Sequence, residues 1–278
     1  MIKARGFIVW GGSIVIVLGL FLIFVAAGWP GGADECTKAT ADAPNTCFCE
    51  AYNIEDVENH EPGVRQKVNT WFNLYAIITS LIIACRVYLD RRGIRSGNLM
   101  KSDTWVPDLY IFAVLFLGLG SMWFHASLTA WGSVLDGMSM YVFAAFLVFY
   151  SIRRLWNSAP FFWLGYAATV LLFTALHKVV PNSFYSIMVL VLAYLVVEGI
   201  IWWKTGKFLQ GTKKTVLLWV FSVVSILTAT FFWVFSQTGK FMCNPDGVFQ
   251  PHGMLWHPLA GVMAVLLYFY WREANDSV

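Results

Sequence analysis

Charged side chains are scarce in this sequence: they make up 13% of its 278 residues, against about a quarter in an average soluble domain. A deficit of this size argues against a water-soluble domain and indicates that lipid surrounds most of the chain. Basic runs interleaved with aromatic residues are missing, and the net charge is only +3, so nothing indicates nucleic-acid binding. Internal repeats and low-complexity tracts are also missing, which predicts one membrane domain.

Hydrophobic residues account for 58% of the chain and aromatic residues, with 14 Trp, for 17%. This composition is typical of membrane proteins, because Trp and Tyr collect at membrane interfaces. Crossing the hydrocarbon core takes about 20 residues of helix, and eight apolar runs reach that length. We therefore predict an all-α, polytopic transmembrane bundle. The runs are 7–29, 68–89, 104–126, 132–152, 160–179, 183–203, 215–236 and 252–271.

The first run follows two basic residues, as a signal peptide does. Its apolar core is longer than the roughly 7–15 residues typical of that role, so we predict an uncleaved anchor helix over 1–29. Three further segments follow it. They are an outer, acidic, cysteine-containing loop over 30–67, a membrane core of seven helices over 68–272 and a cytoplasmic tail over 273–278.

The Lys and Arg residues predict the orientation. With a cytoplasmic N-terminus, most of the 19 basic residues fall on the cytoplasmic side, as the positive-inside rule expects. Both termini are then cytoplasmic. Four cysteines, Cys36, Cys47, Cys49 and Cys243, fall on the opposite, oxidising face and predict two disulfides in one of three pairings. Cys85 is expected to be a free thiol in the core.

Four ionisable side chains fall at one predicted depth of the bundle, at the outer ends of three spans: His125, Asp136, His252 and His257. Ionisable groups inside a membrane are costly and therefore indicate function. Three His are a common ligand set for catalytic zinc, which keeps a fourth position for water, and Asp136 could take a proton from that water. Each residue alone has a structural interpretation, since a lone interfacial His is usually just solvated and Asp136 could cap a helix. Because all four converge at one depth, a metal site and these structural interpretations carry equal weight.

Ser121 lies four residues before His125, so both side chains project from one face of a helix. Its hydroxyl could hydrogen-bond a substrate carbonyl or an oxyanion. Taken alone, Ser121 is more simply explained by a hydrogen bond to its own helix. Glu198, in the cytoplasmic half of the sixth span, is expected to pair with a neighbouring helix, and Asn69 and Asn73 to hydrogen-bond across the bundle.

The spacing of His252 and His257 is unusual for a shared metal. Residues five apart on an α-helix lie about 140° apart around its axis. A single wide π turn would bring the two rings together, and such turns are common at functional sites. Pro258 favours it because proline lacks an N–H and clashes with the preceding turn. We therefore predict a distorted helix between His252 and Pro258; in the rival outcome His252 caps the helix and binds no metal.

In this combination and order, these residues resemble the alkaline ceramidase family. That family belongs to a transmembrane zinc hydrolase superfamily that also holds adiponectin-type receptors and GPI-lipid remodelling hydrolases. The similarity covers roughly residues 47–272 and is strongest over 120–127, followed by Asp136. It also includes Cys49-Glu50, Asn69-Thr70-Trp71-Phe72-Asn73, Cys243, Gln250, His252, Trp256 and His257.

The resemblance implies a seven-helix hydrolase core in which His125, His252 and His257 hold zinc, with Ser121 and Asp136 as catalytic helpers. It implies hydrolysis of the amide bond of ceramide to a sphingoid base and a fatty acid, with zinc-bound water as the nucleophile. It also implies a Cys49–Cys243 disulfide, which leaves Cys36–Cys47 as the second.

Three features depart from the family pattern. The C-terminal His pair has one extra intervening residue, and the N-terminal run gives eight spans instead of seven. The acidic residues through which eukaryotic members bind calcium are only partly present. Glu50 matches one of them and is a candidate calcium ligand, whereas Cys47 and Gln66 stand where the pattern has acids. These differences favour a site without calcium.

Two alternatives stay open. One is a related membrane lipid hydrolase with another substrate, and the other is a non-enzymatic lipid receptor in which zinc only braces the helices. In each case the partner is a membrane lipid, and the site faces the non-cytosolic side. The membrane is either a bacterial inner membrane or that of the endoplasmic reticulum or Golgi.

Overall fold

The computed structural model describes residues 4–34, 48–93, 97–177, 179, 183–205 and 213–274. All eight predicted runs form helices long and apolar enough to cross a membrane, which confirms the all-α polytopic fold. In chain order the helices are α1 (Arg5–Ala27), α2 (Ile54–Glu58), α3 (Lys67–Phe72), α4 (Tyr75–Arg92), α5 (Val106–Ser127), α6 (Ala130–Trp156), α7 (Ala159–Leu176), α8 (Ser183–Thr205), α9 (Lys213–Phe235) and α10 (His257–Glu273), with a 3₁₀ turn at Leu99–Lys101 and a π turn at His252–Trp256.

Helices α5 and α6 form the centre of the bundle. Of the most apolar stretch of α5, 78% is buried, against 6% in α1 and 17% in α7. The outer helices expose large apolar side chains such as Leu164 and Leu171. Lipid tails are as apolar as leucine, so these exposed faces are the ones that lipid covers.

Glycines allow α5 to approach its neighbours closely. A Cβ on Gly118 would lie 2.4 Å from the Cβ of Ala76 on α4, and one on Gly120 would lie 2.6 Å from the Cβ of Ser139 on α6. Small residues at helix contacts are the usual means of close packing in membranes. The contact brings the next turns of α5, which carry Ser121 and His125, into the interior.

Helix α1, which precedes the region of family resemblance, packs against α4 and α5. Arg5 pairs with Asp108 of α5 at 2.6 Å, and Arg91 of α4 pairs with the same carboxylate at 2.8 Å. Near the other end of α1, Phe21 packs with Trp29, which follows the helix, and with Trp123 of α5 in one hydrophobic cluster. Both ends of α1 are therefore fixed to the core by specific contacts.

The disulfide between Cys49 and Cys243 forms, as the resemblance implies. It joins the segment before α2 to the loop before α10, and we call this end of the bundle the disulfide end. The opposite end, where Arg91, Arg154 and Arg272 lie, is the arginine end. The expected Cys36–Cys47 pair lies outside the described residues. Cys85 is free but exposed, so its expected place in the core is wrong: its side of α4 faces outward.

Replacing Cys243 with serine is expected to destabilise the protein by about 2–5 kcal/mol. The bond closes a loop of 194 residues, and its loss frees the unfolded chain. The thermal midpoint in detergent measures the effect. Cys85→Ser is the matched control, because Cys85 is unpaired; equal midpoints for the two variants would contradict the prediction.

Candidate metal centre

Three histidines from two distant parts of the chain meet inside the disulfide end. His125 of α5, His252 of the π turn and His257 of α10 are buried, and their potential ligand nitrogens lie within 4.8 Å of one another. The Nε2 atoms of His125 and His252 are 3.3 Å apart. A tetrahedral zinc with Zn–N bonds of about 2.0–2.1 Å would hold its ligand nitrogens about 3.4 Å apart. The donor set and its spacing therefore fit a zinc ion.

A π turn accommodates the five-residue step between His252 and His257. It covers His252–Trp256, and α10 follows directly with Pro258 in its first turn, which confirms the predicted distortion. The widened turn brings the ring centroids of the two histidines to 4.7 Å. Gly253 is needed here, because a Cβ would lie 2.9 Å from Oδ1 and 3.1 Å from Cα of Asn69 on α3.

The side chain of Gln66 orients His125. Its Nε2 donates to the carbonyl oxygens of Phe48 and Glu50, each at 3.0 Å, which identifies the other amide atom as the oxygen. That oxygen lies 2.7 Å from Nδ1 of His125, so Nδ1 carries the proton and donates it. The lone pair of His125 is then on Nε2, which faces His252, as a metal ligand requires.

Replacing Gln66 with alanine is expected to weaken metal binding by about 10–100-fold, the usual cost of losing a hydrogen-bonded partner of a ligand histidine. Competition against a chelator measures the affinity without reference to activity. Gln66→Glu keeps an acceptor for Nδ1 but loses the donor to the carbonyl oxygens of Phe48 and Glu50, so its affinity should fall between those of the alanine variant and the unmodified protein. Equal affinity in the alanine variant and the unmodified protein would show that Gln66 does not position His125.

Other side chains support the remaining two histidines. The ring of Phe48 stacks on His252 with centroids 3.7 Å apart. The amide nitrogen of Asn73 lies 3.2 Å from Nε2 of His257, which confirms that Asn73 contacts another helix. The side-chain amide of Asn69 instead donates to Gln66 in its own segment. Asn73 also marks a break between α3 and α4, within what the apolar pattern predicts as one continuous helix.

Ser121, Asp136 and His257 line the outer part of one cavity of about 150 Å³. The side chains of Ser121 and Asp136 are neighbours in this lining. Asp136 is not the cap of α6, since Thr129 accepts the hydrogen bond from the N–H of Gly132 in that role. The structure therefore places both residues beside one histidine of the cluster, in a space that a reacting group can enter.

Glu50, the candidate calcium ligand, lies close to the metal centre and outside the spans. Its two carboxylate oxygens accept hydrogen bonds from the backbone N–H groups of Val68 and Asn69, at 2.7 and 2.8 Å. Burial raises the pKa of the Glu50 carboxyl, and these hydrogen bonds oppose the rise. Glu50 thereby holds the first turn of α3; its candidate calcium role stays a prediction.

Sequence reasoning missed three residues at the site. Gln66 stands where the family pattern has an acid, and Phe48 and Tyr75, whose rings stack on His252 and His257, belong to no motif that indicates a site. The Cys49–Cys243 bond is the feature that could have located Phe48, since it ties the neighbouring residue to the loop before His252. His177, at the end of α7, packs beside Gly137 and lies within hydrogen-bonding distance of the hydroxyl of Tyr141.

Comparison with known proteins places this geometry in a family. No curated protein sequence matches the chain significantly. The family model described as ceramidase matches residues 48–276, a region that starts after α1 and contains all three histidines together with Ser121 and Asp136. The match covers most of the chain, and the chain therefore belongs to the ceramidase family, whose members are hydrolases acting on an amide bond.

Proposed function

We propose that this protein hydrolyses the amide bond of ceramide, with zinc held by His125, His252 and His257. The observation that carries the proposal is the position of the histidine cluster at one end of an apolar cavity that Ser121 and Asp136 also line. A lipid amide suits this arrangement, because its alkyl part can lie along apolar walls while its polar group meets Ser121, Asp136 and His257.

Zinc, when bound, supplies Lewis-acid activation of a carbonyl and lowers the pKa of water to about 7. The protein supplies the remaining chemistry. The carboxylate of Asp136 accepts the proton of the attacking water, and it can pass that proton to the leaving amine of the sphingoid base. The hydroxyl of Ser121 donates a hydrogen bond to the carbonyl oxygen, on which negative charge develops.

The site is proposed to face the non-cytosolic side of its membrane, with both termini cytoplasmic. The support is that the arginine end gathers Arg5, Arg91, Arg154 and Arg272, whereas the metal centre lies at the opposite, disulfide end. Basic residues favour the cytoplasmic side, and disulfides persist in oxidising compartments. A substrate from the non-cytosolic leaflet then reaches the site without crossing the bilayer.

Purified protein should contain about one zinc per chain and release fatty acid from labelled ceramide. Removing zinc with a chelator should stop the release, and adding zinc back should restore it. A parallel panel of phospholipids and other acyl amides tests the substrate class. Turnover of another lipid in place of ceramide would replace the proposed substrate, and metal-independent turnover would overturn the zinc role.

A further inference from the structure

The cavity that begins at Ser121 and Asp136 continues along the helix axes towards the arginine end. Its lining runs from Asp136 to Leu147 on α6 and from His257 to Leu267 on α10. The step from Asp136 to Leu147 spans about 16 Å at the α-helical rise. This is close to the hydrocarbon thickness of one leaflet, half of about 30 Å. Since the walls are overwhelmingly apolar, the cavity has the depth and the chemistry of a slot for one alkyl chain.

A buried polar cluster lies at the far end of this slot. The carboxylate of Glu198 accepts hydrogen bonds from the hydroxyls of Ser151 and Tyr270, at 2.6 and 2.8 Å, and from the indole N–H of Trp271 at 3.3 Å. The guanidinium of Arg154 pairs with it at 2.8 Å. The cluster joins three helices, α6, α8 and α10, and we call these five residues the Glu198 plug.

The helical register places the plug directly beyond the last residues that line the slot. Leu147 on α6, Tyr194 on α8 and Leu267 on α10 line its deep end. Ser151, Glu198 and Trp271 follow them by four residues on the same three helices. Residues four apart lie above one another on one helix face. Each of the three helices therefore contributes one residue to the deep end of the slot, which we call its floor. One turn further on, the same helix contributes one residue to the plug.

An alkyl chain can displace apolar side chains by changing their rotamers, but it offers nothing to a buried ion pair. Separating Arg154 from Glu198 would leave a charge buried without a partner, which is strongly unfavourable. The catalytic chemistry does not use Glu198, which lies at the opposite end of the cavity from the histidines. We propose that the Glu198 plug closes the slot and sets the longest alkyl chain that the site accepts. This inference rests on the proposed function and adds its chain-length limit.

The first test removes both charges together. In the double variant Arg154→Ala and Glu198→Ala, no unpaired charge remains and space opens beyond the floor. Ceramides graded in acyl length form one substrate series, and ceramides graded in sphingoid base length form a second. For the unmodified protein we expect kcat/KM to fall sharply beyond one length in one series. In the double variant that limit should move to longer chains, with at least tenfold more activity on the first excluded chain. An unchanged limit in both series would overturn the proposal.

A second variant keeps the plug and shortens the slot, in case the double variant does not fold. Ala144 lines the slot on α6, so Ala144→Phe adds a ring into open space and should move the limit to shorter chains. Ala168→Phe is the matched control, because Ala168 is exposed on the lipid-facing side of α7. If Ala144→Phe leaves the limit in place, the chain does not occupy this slot and the plug cannot limit it.

Failure of the proposed function would look different. The unmodified protein would then release no fatty acid from any ceramide. The slot is still testable in that case, because free fatty acids of graded length should raise the thermal midpoint up to a limiting length. That limit should shift in the double variant and in Ala144→Phe as described, and the absence of a shift in both variants would overturn the proposal.

Discussion

Replacing His125 with alanine is expected to abolish both metal binding and amide hydrolysis. The cluster offers three histidine nitrogens, and a catalytic zinc site needs three protein ligands beside its open position. With two ligands left, the ion is lost at ordinary zinc concentrations, and its activation of water and carbonyl is lost with it. Elemental analysis of the purified variant and fatty acid release from ceramide measure the two effects.

His60→Asn is the control for this variant. His60 is exposed and has a φ of +57°, a conformation that asparagine adopts more readily than most residues. The His60→Asn protein should therefore keep its fold, its zinc and its activity. A His125→Ala protein that retains full zinc and full activity would show that the histidine cluster is structural and that the reacting centre lies elsewhere.

Replacing Asp136 with asparagine is expected to lower kcat by about 10²–10⁴, the usual contribution of general acid–base catalysis. The amide has nearly the same shape as the carboxylate, but it cannot accept a proton. Because Asp136 is not a member of the histidine cluster, the zinc content should stay the same. The combination of unchanged zinc and lost turnover separates this role from that of a ligand.

Glu58→Gln makes the same change of carboxylate to amide on α2, at an exposed position, and should leave turnover unaltered. Loss of zinc in Asp136→Asn would assign Asp136 to the metal, and unaltered turnover would remove it from the mechanism. The same two measurements, zinc content and turnover, also test Ser121→Ala. Because Ser121 and Asp136 are neighbours in the cavity, the effects of this substitution and of Asp136→Asn should not be additive.

The sequence predicted the spans well because a membrane imposes one simple rule: a crossing helix needs about 20 predominantly apolar residues. It also predicted the π turn, since the step from His252 to His257 together with Pro258 has few solutions that bring the rings together. The interruption between α3 and α4 escaped this reasoning. It depends on polar contacts of Asn73 with its own helix and with His257, which hydrophobicity does not report.

By itself, the sequence determined the eight helices, the common depth of His125, Asp136, His252 and His257, and the ceramidase resemblance. These follow from local composition and from residue order along the chain. Only the tertiary structure decided that Gln66 sets which ring nitrogen of His125 carries the proton and that Phe48 stacks on His252. It also decided that the Glu198 plug lies beyond the floor of the slot. Each of these joins residues far apart in the chain, and their contacts depend on how the helices pack and rotate against one another, which no single stretch of sequence encodes.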